Sequence, residues 1–282
     1  VTITLAIGVM RMAKKNAVVK KLPAVEALGC ANFVCSDKTG TLTQNKMKVI
    51  SAYCPSMDDS IHLNNNVDSD AGQPVGLALT SYGTTIDIRF HMSLYQMFDA
   101  ACICNNAYLG SDFSVIGQPT EGALLLAALK LGVPDRRSSV RRVSEECFSA
   151  ETRRMDVRVR DGTKEVVYTK GALEVILDSC TTYTGQNGEL LPLNHAAKDR
   201  MQQQALVMAK DGLRVIAIAF GSVSGEYTVC GITGLMDPLR EGVVDAVRRI
   251  QASGARVMMI TGDAEVTAAS IARSAGILEN TR

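Results

Sequence analysis

The 282 residues are 46% apolar and 21% charged, a balance that suits cored globular domains and excludes a disordered chain. A net charge of +1 supplies no basic field, which argues against nucleic acid as a partner. Of the eight cysteines only Cys102 and Cys104 are close, and His62, His91 and His195 are far apart; no zinc-ligand spacing results, and free thiols of the cytosol are the plain reading.

In chain order, VTITLAIGVM at 1–10 is an unbroken apolar run followed by Arg11, Lys14, Lys15, Lys20 and Lys21. A helix needs about 20 apolar residues to cross a bilayer core, so the run by itself slightly favours a buried strand over the tail of a spanning helix. The charges follow the run, which argues against a signal peptide. Residues 31–36 read as a buried strand ending at Asp37, and CSDKTGTLTQN occupies 35–45. A turn residue, a metal ligand and a nucleophile are all open for a carboxylate at that point. Residues 51–73 are polar and read as surface loop or poor order. QPTEGALLLAALKLG (118–132) predicts a helix closed by Gly132, and VRVRDGTKEVVY (157–168) a hairpin turning at Asp161-Gly162. Helices follow over 172–180 and 195–210, the second ending at Gly212, and then a strand at 213–220.

TVCGITGL (228–235) predicts a strand leading through DPLRE into a helix with Val243, Val247 and Ile250 on one face. Gly254 closes it, RVMMI (256–260) is a short buried strand, and a last helix runs from Asp263 to Gly276. Strand, helix, strand and helix predict a right-handed crossover onto a parallel sheet, with chemistry at the carboxyl ends of its strands. The strand before Asp37 is expected in that sheet, so that Asp37 converges with Thr261-Gly262-Asp263 and the intervening chain forms an inserted domain.

If those loops hold a phosphoryl group, Asp37 is the attacking carboxylate of a covalent aspartyl phosphate. Gly40 would let backbone N–H groups approach the phosphate, Thr39 and Thr261 would add contacts, and Mg²⁺ would take the Asp37 carboxylate and the Thr39 carbonyl. Singly, such short stretches are usually only turns. Glu121 reads as a capping acid, Phe148 as core, and Lys170 and Arg214 as solvated charges. The chain has no G-x-x-x-x-G-K-[ST], G-x-G-x-x-G or G-x-S-x-G, so ATP would have to bind by another arrangement.

DKTGTLT at 37–43 resembles the phosphorylation motif of P-type cation-transporting ATPases. TEGAL (120–124), FSAETRRM (148–155), KGALE (170–174), DGLRV (211–215), DPLRE (237–241) and MITGD (259–263) resemble that family's successive signatures in order, across nearly the whole chain. RMAKKNAVVKKLPAVEALGC (11–30) is similar to the stalk of its calcium pumps. VTITLAIGVMRM, Lys20-Lys21 and CTTYTGQNGELLPL (180–193) are most similar to the secretory-pathway calcium/manganese branch, with the endoplasmic reticulum branch as alternative.

The resemblance implies an α/β fold: a haloacid-dehalogenase-like (Rossmann-like) phosphorylation domain at 14–45 and 228–282, split by an inserted α+β nucleotide-binding domain at 46–227. Residues 1–13 would end a transmembrane helix and its stalk. By the same resemblance Asp37 accepts the γ-phosphoryl group of ATP, with Lys38, Thr39, Thr261, Gly262 and Asp263 around it. Mg²⁺ is held at Asp37 and Thr39. Glu121, Phe148, Arg153, Lys170, Gly171 and Arg214 line the ATP pocket, Phe148 against adenine, and Asp237 and Arg240 belong to a hinge-proximal motif. The full-length protein would be an integral membrane pump of the Golgi, or alternatively of the endoplasmic reticulum. Its headpiece would be cytosolic, with Ca²⁺ or Mn²⁺ bound through other segments and no nucleic acid. Leu239 and Leu173 stand where many members have proline, and Ala150 where some have arginine. Against the family's pattern the chain stops at Arg282 before a lysine and a Gly-Asp-Gly-x-Asn-Asp magnesium motif, so it is expected to be a fragment that does not turn over alone. The alternatives are a phosphatase of the same core fold and an ATP-binding regulatory module.

Overall fold

The computed structural model describes residues 2–64, 77–80, 82–263 and 265–279. Two contact units divide them, the chain passing between units at Leu42–Thr43 and again at Pro238–Leu239. The first unit begins with helices α1 (Thr2–Ala13) and α2 (Pro23–Gly29) and strand β1 (Phe33–Asp37). The second contains β2 (Lys48–Tyr53), β3 (Ile61–Asn64), β4 (Leu77–Thr80), β5 (Thr85–Ile86) and helix α3 (Met92–Ile103). A small hairpin of β6 (Tyr108–Leu109) and β7 (Val115–Ile116) leads to α4 (Pro119–Lys130), β8 (Arg141–Glu146), β9 (Arg154–Asp161) and β10 (Lys164–Gly171). Then come α5 (Leu173–Ser179), β11 (Cys180–Thr184), β12 (Leu190–Pro192), α6 (His195–Lys210), β13 (Arg214–Ser222) and β14 (Tyr227–Met236). The first unit resumes with α7 (Val243–Ala252) and β15 (Arg256–Ile260), and α8 (Glu265–Ser274) follows, its residues to Ser270 grouping with the second unit.

The second unit is built on an 11-stranded sheet ordered β5-β4-β3-β2-β14-β13-β10-β9-β8, with β11 beside β14 and β12 beside β11. Its central strands carry two cores at once. Along β13, Ala217 and Ala219 face Ile176, Leu177 and Met201 of α5 and α6, while Ile218 between them faces Leu94, Phe98 and Leu124 of α3 and α4. Val229 and Cys230 of β14 divide in the same way. Successive residues of a strand point to opposite faces, so a strand covered on both sides needs apolar residues at every position. That explains the continuous runs LRVIAIAF and TVCGITGL, and it corrects the expectation that 228–235 joins the parallel sheet of the strand before Asp37: β14 runs antiparallel to β13 and β2 in a different sheet, and parallel only to the short β11. An apolar run reports burial on two faces, and helices supply that burial here for a largely antiparallel sheet.

The hairpin over 157–168, the helices at 172–180 and 195–210 and the strand at 213–220 form as read. Gly162 takes φ 60° in the hairpin turn, and Asn194 caps α6 by accepting from Ala197 N–H at 2.9 Å. Residues 51–73 are not simply loop. They include the end of β2 and β3, and the part from 65 on lies outside the described residues. Residues 2–13 are helical, so the slight preference for a strand is overturned; local propensity does not account for the helix, since Val, Ile, Thr and Gly outnumber Ala, Leu and Met in the run. No helix among the described residues is long and apolar enough to cross a membrane.

In the first unit β1 and β15 pair in parallel, with Phe33 opposite Arg256 and Asp37 opposite Ile260. The expected pairing therefore holds, but the strands are buried on one side at most: Val257 is buried, while Phe33, Cys35 and Asp37 are exposed, as are Met258 and Ile260. A two-stranded sheet leaves much of both faces open unless other layers cover it.

Candidate functional site

Asp37 ends β1 with its side chain at the surface, and Thr261 and Gly262 follow β15 directly beyond the residue paired with Asp37. Two distant stretches of the chain thus end side by side at the carboxyl edge of one parallel pair. After Asp37 the backbone is irregular: Thr39 is extended at φ −75°, ψ 123°, and Gly40 turns to φ 75°. A residue with a Cβ rarely adopts that φ, so glycine fits the turn. Arg240 ties it down, donating from Nη2 to the Gly40 carbonyl at 2.7 Å and from its backbone N–H to the Leu42 carbonyl at 2.9 Å. Within the second unit Asp237 does similar work. Its Oδ2 accepts from Thr43 Oγ1 at 2.6 Å and its Oδ1 from Lys46 N–H at 3.0 Å. The DPLRE motif and the segment after Asp37 are therefore bonded neighbours on each side of the crossing point. Asp263 groups with the second unit.

Among the nucleotide candidates, Glu121 and Lys170 meet. Lys170 shares a strand face with Val166 and Tyr168, pointing toward the core that α3 and α4 close, and it is buried. Its Nζ donates to Glu121 Oε1 at 2.5 Å and to the Cys104 carbonyl. Glu121 Oε2 accepts from Asn106 N–H at 3.2 Å. Neither residue is the capping acid or the solvated cation that isolated reading gives. Gly171 packs its backbone on Arg153, where a Cβ would come within 2.4 Å of the Arg153 carbonyl oxygen. Phe148 is not core: it is 61% exposed on the turn between β8 and β9. Arg153 lies on the same turn at φ 50°, and its guanidinium is drawn to Glu174 at 2.7 Å, away from the buried pair. Arg214 is exposed at the start of β13, three positions before the residue opposite Gly171.

Sequence reasoning missed the layer beneath this pair. Asn105 is buried and fully used, donating to the carbonyls of Ala101 (3.2 Å) and Glu121 (2.8 Å) and accepting from Ala107 N–H (2.9 Å). Asn106 donates to the Glu145 carboxylate and accepts from Arg142 Nη1 at 2.7 Å. Burial works to raise the Glu145 carboxyl, but hydrogen bonds from Asn106 and Cys147 and the Arg142 charge outweigh it and leave it below the usual range. Consecutive asparagines after an apolar stretch signal a helix end at most. Cys104 beside Lys170 is inert, its thiol pushed up by burial to about 12. Among the described residues no group of three or more His, Cys, Asp or Glu side chains lies together as a metal cage.

Residues 93–242 match the family described as P-type ATPase, cytoplasmic domain N. The chain belongs to the P-type ATPases. Proteins described as calcium-transporting ATPases align over nearly its whole length. It is 40% identical over 285 residues to calcium-transporting ATPase type 2C member 1 of Bos taurus, covering 100% of this chain and 29% of that protein. Calcium-transporting ATPase type 2C member 2 of Rattus norvegicus is 39% identical over 282 residues, covering 99% and 29%. Calcium-transporting ATPase 1 of Schizosaccharomyces pombe is 36% identical over 285 residues, covering 98% and 30%. The chain thus spans less than a third of the length of these curated relatives.

Proposed function

We propose that this chain is the ATP-binding and phosphate-accepting part of a calcium-transporting ATPase, with a haloacid-dehalogenase-like phosphorylation domain interrupted by its nucleotide-binding domain. The register that sets Asp37 opposite Ile260, one residue ahead of Thr261-Gly262, carries this reading. In it, an Asp37 carboxylate oxygen forms a bond to the γ-phosphorus of ATP as the bond from that phosphorus to the β,γ-bridging oxygen breaks and ADP leaves. Gly40 opens the turn to the phosphate, while Lys38, Thr39, Thr261, Gly262 and Asp263 bind and orient it. The donor set fits Mg²⁺: the Asp37 carboxylate and Thr39 carbonyl are hard oxygens, and a magnesium ion takes one or two carboxylates plus phosphate and water. When bound, that ion would neutralise phosphate charge.

The buried Lys170–Glu121 pair forms the wall of the proposed nucleotide pocket with Gly171. Phe148 offers an exposed ring for adenine, worth roughly 1–3 kcal/mol as a stacking platform. Arg214 is an accessible cation for the phosphates, and Arg153, paired with Glu174 at 2.7 Å, would have to exchange that carboxylate for phosphate to join it. The calcium transport named for the relatives, manganese as a second ion, and a Golgi or endoplasmic reticulum membrane extend the same proposal to the full-length protein, with residues 1–13 as the end of a membrane helix.

The decisive experiment labels the full-length protein in membranes with γ-³²P-ATP in the presence of Ca²⁺. The expected result is acid-stable, hydroxylamine-labile label on the wild type and none on Asp37→Asn. A label that resists hydroxylamine, or persists in the variant, contradicts the proposal and returns the chain to the class of ATP-binding modules.

A further inference from the structure

Strand β8 closes one side of the large sheet with β9 as its neighbour, and every one of its residues is exposed. It reads Arg141-Arg142-Val143-Ser144-Glu145-Glu146. In regular alternation Arg142 and Ser144 would share a face. A bulge between them changes this. Arg142 and Glu145 now lie opposite Val159 and Val157, which are buried, and both reach Asn106 on that side. Arg141 lies opposite Arg160 and Ser144 opposite Arg158, on the outward face.

Opposed residues of an antiparallel pair stand side by side on one face. The Ser144 hydroxyl is therefore neighboured by Arg141, Arg158 and Arg160. One carboxylate serves the last two: Glu165 accepts from Arg158 Nε at 2.8 Å and from Arg160 Nε at 3.1 Å. Those hydrogen bonds, Arg160's first, hold the Glu165 carboxyl below its ordinary range, as expected for an acid outnumbered by cations. Glu146 is the next acid on the outward face, opposite Asp156, which Arg154 binds at 2.7 Å. Counted over the same face, Arg141, Arg154, Arg158 and Arg160 stand against Glu146, Asp156 and Glu165, with Asp156 held by Arg154 and the other three guanidinium groups grouped at the Ser144 end.

We propose that Ser144 is a phosphorylation site for an arginine-directed serine/threonine protein kinase, and that Arg141, Arg158 and Arg160 receive the phosphate. A kinase that reads guanidinium groups two and three residues before its target does so with carboxylates in its substrate groove, a charge pattern that also rejects other serines. Edge strand β8 offers that pattern already extended. In the kinase, Ser144 Oγ forms a bond to the γ-phosphorus of ATP, the bond to the β,γ-bridging oxygen breaks, ADP departs, and the hydroxyl proton passes to the kinase's catalytic carboxylate. The new group carries about −1.5 to −2 charges at pH 7 and three acceptor oxygens, which suit a cluster of guanidinium forks.

The same spacing occurs at Arg136-Arg137-Ser138-Ser139, and the structure separates the two. Arg136 is clamped on Asp99 at 2.6 Å and Arg137 on Asp135 at 2.7 Å. Ser139 Oγ donates to the Arg136 carbonyl at 2.8 Å within a turn. Both upstream cations sit on carboxylates there and the backbone is folded back on itself, whereas before Ser144 only Arg142 is engaged, on Asn106 at 2.7 Å and Glu145 at 3.6 Å, and Arg141 stays exposed on the outward face.

The test treats the full chain with ATP and the catalytic subunit of an arginine-directed kinase, then with hydroxylamine, which strips acyl phosphate and spares phosphoserine. Mass spectrometry should find phosphate on Ser144 of the native chain, none there in Ser144→Ala, and a rate roughly tenfold lower in Arg141→Gln. Amide exchange across β8 and β9 should slow roughly fivefold on phosphorylation, and should not slow in Arg158→Gln/Arg160→Gln. If that double variant fails to fold by circular dichroism, phosphorylated Arg141→Gln carries the same readout, with a smaller slowing than wild type. Phosphate on Ser139 in preference to Ser144, on Ser144 only after unfolding, or without any change in exchange, overturns the proposal.

Discussion

Lys170 shows how much a single side chain depends on its strand. In the sequence it is a lysine before a glycine, indistinguishable from a solvated charge. In the fold it is 7% exposed, and its ammonium group rests on the equally buried Glu121. Breaking a buried ion pair at one end leaves the other charge without its partner, and that costs about 3–5 kcal/mol, more than the pair itself contributes. Lys170→Met should therefore lower the unfolding free energy by about 3 kcal/mol in urea melts. Adding Glu121→Gln to it should restore a large part, because the stranded charge is then removed. Nucleotide binding should stay weak in both variants. If the double variant is no more stable than Lys170→Met, the pair does not carry the energetics assigned to it. Asp37, Phe148 and Arg214 were legible as candidates because their motifs are local. The partnership of Lys170 with Glu121 was not, since it depends on which face of β10 turns inward, and neither was the Asn105–Asn106 layer that supports it.

Elements were legible where the chain punctuates itself. The hairpin at Gly162, the Asn194 cap and the glycine after α6 each mark a boundary with a local conformational reason. Sheet direction was not legible, because an apolar run in β14 states only that both faces are covered. Bulges were equally silent, although the one in β8 decides which side chains share a face. A short element with a strong local signal is the turn Ile88–Phe90, capped by Asp87, whose Oδ1 accepts from Arg89 N–H at 3.0 Å. The Arg89 guanidinium also donates to both carboxylate oxygens, at 2.9 and 2.7 Å. Hydrogen bonding to Arg89 side chain and backbone lowers the Asp87 carboxyl to about 2. Because the folded value lies below the unfolded one, near 3.9, the cap supports this turn fully above about pH 4. That support fades as the pH falls through about 2. A carboxyl NMR titration should find the Asp87 midpoint near 2 in the wild type and closer to the ordinary carboxylate range in Arg89→Ala. An unmoved midpoint in the variant would mean that the side-chain pairing does not set it.

At the scale of the molecule, the division of the chain follows from where its cores lie. Both hydrophobic clusters draw all their buried members from between Val49 and Leu235, inside the second unit. The ends of that stretch are neighbours: Lys48 pairs with Met236 and Val49 with Leu235 across β2 and β14, and beyond them Gln44 N–H bonds the Pro238 carbonyl at 2.9 Å. A unit whose ends meet can be cut out without leaving a strand unpaired or a core face open. Residues 43–238 produced alone should therefore fold cooperatively, keep the buried Lys170–Glu121 pair and bind ATP as the full chain does. At about 0.7 kcal/mol per residue, a body of about 200 residues should absorb on the order of 140 kcal/mol in one calorimetric transition near 60 °C. The Lys170→Met penalty should carry over unchanged, because every group that contacts that ammonium lies inside the excised stretch. Loss of the transition on excision would show that the large sheet draws stability from outside this stretch, from the first unit or from residues 263–270 that group with the second, and Leu42 and Pro238 would not mark a folding boundary.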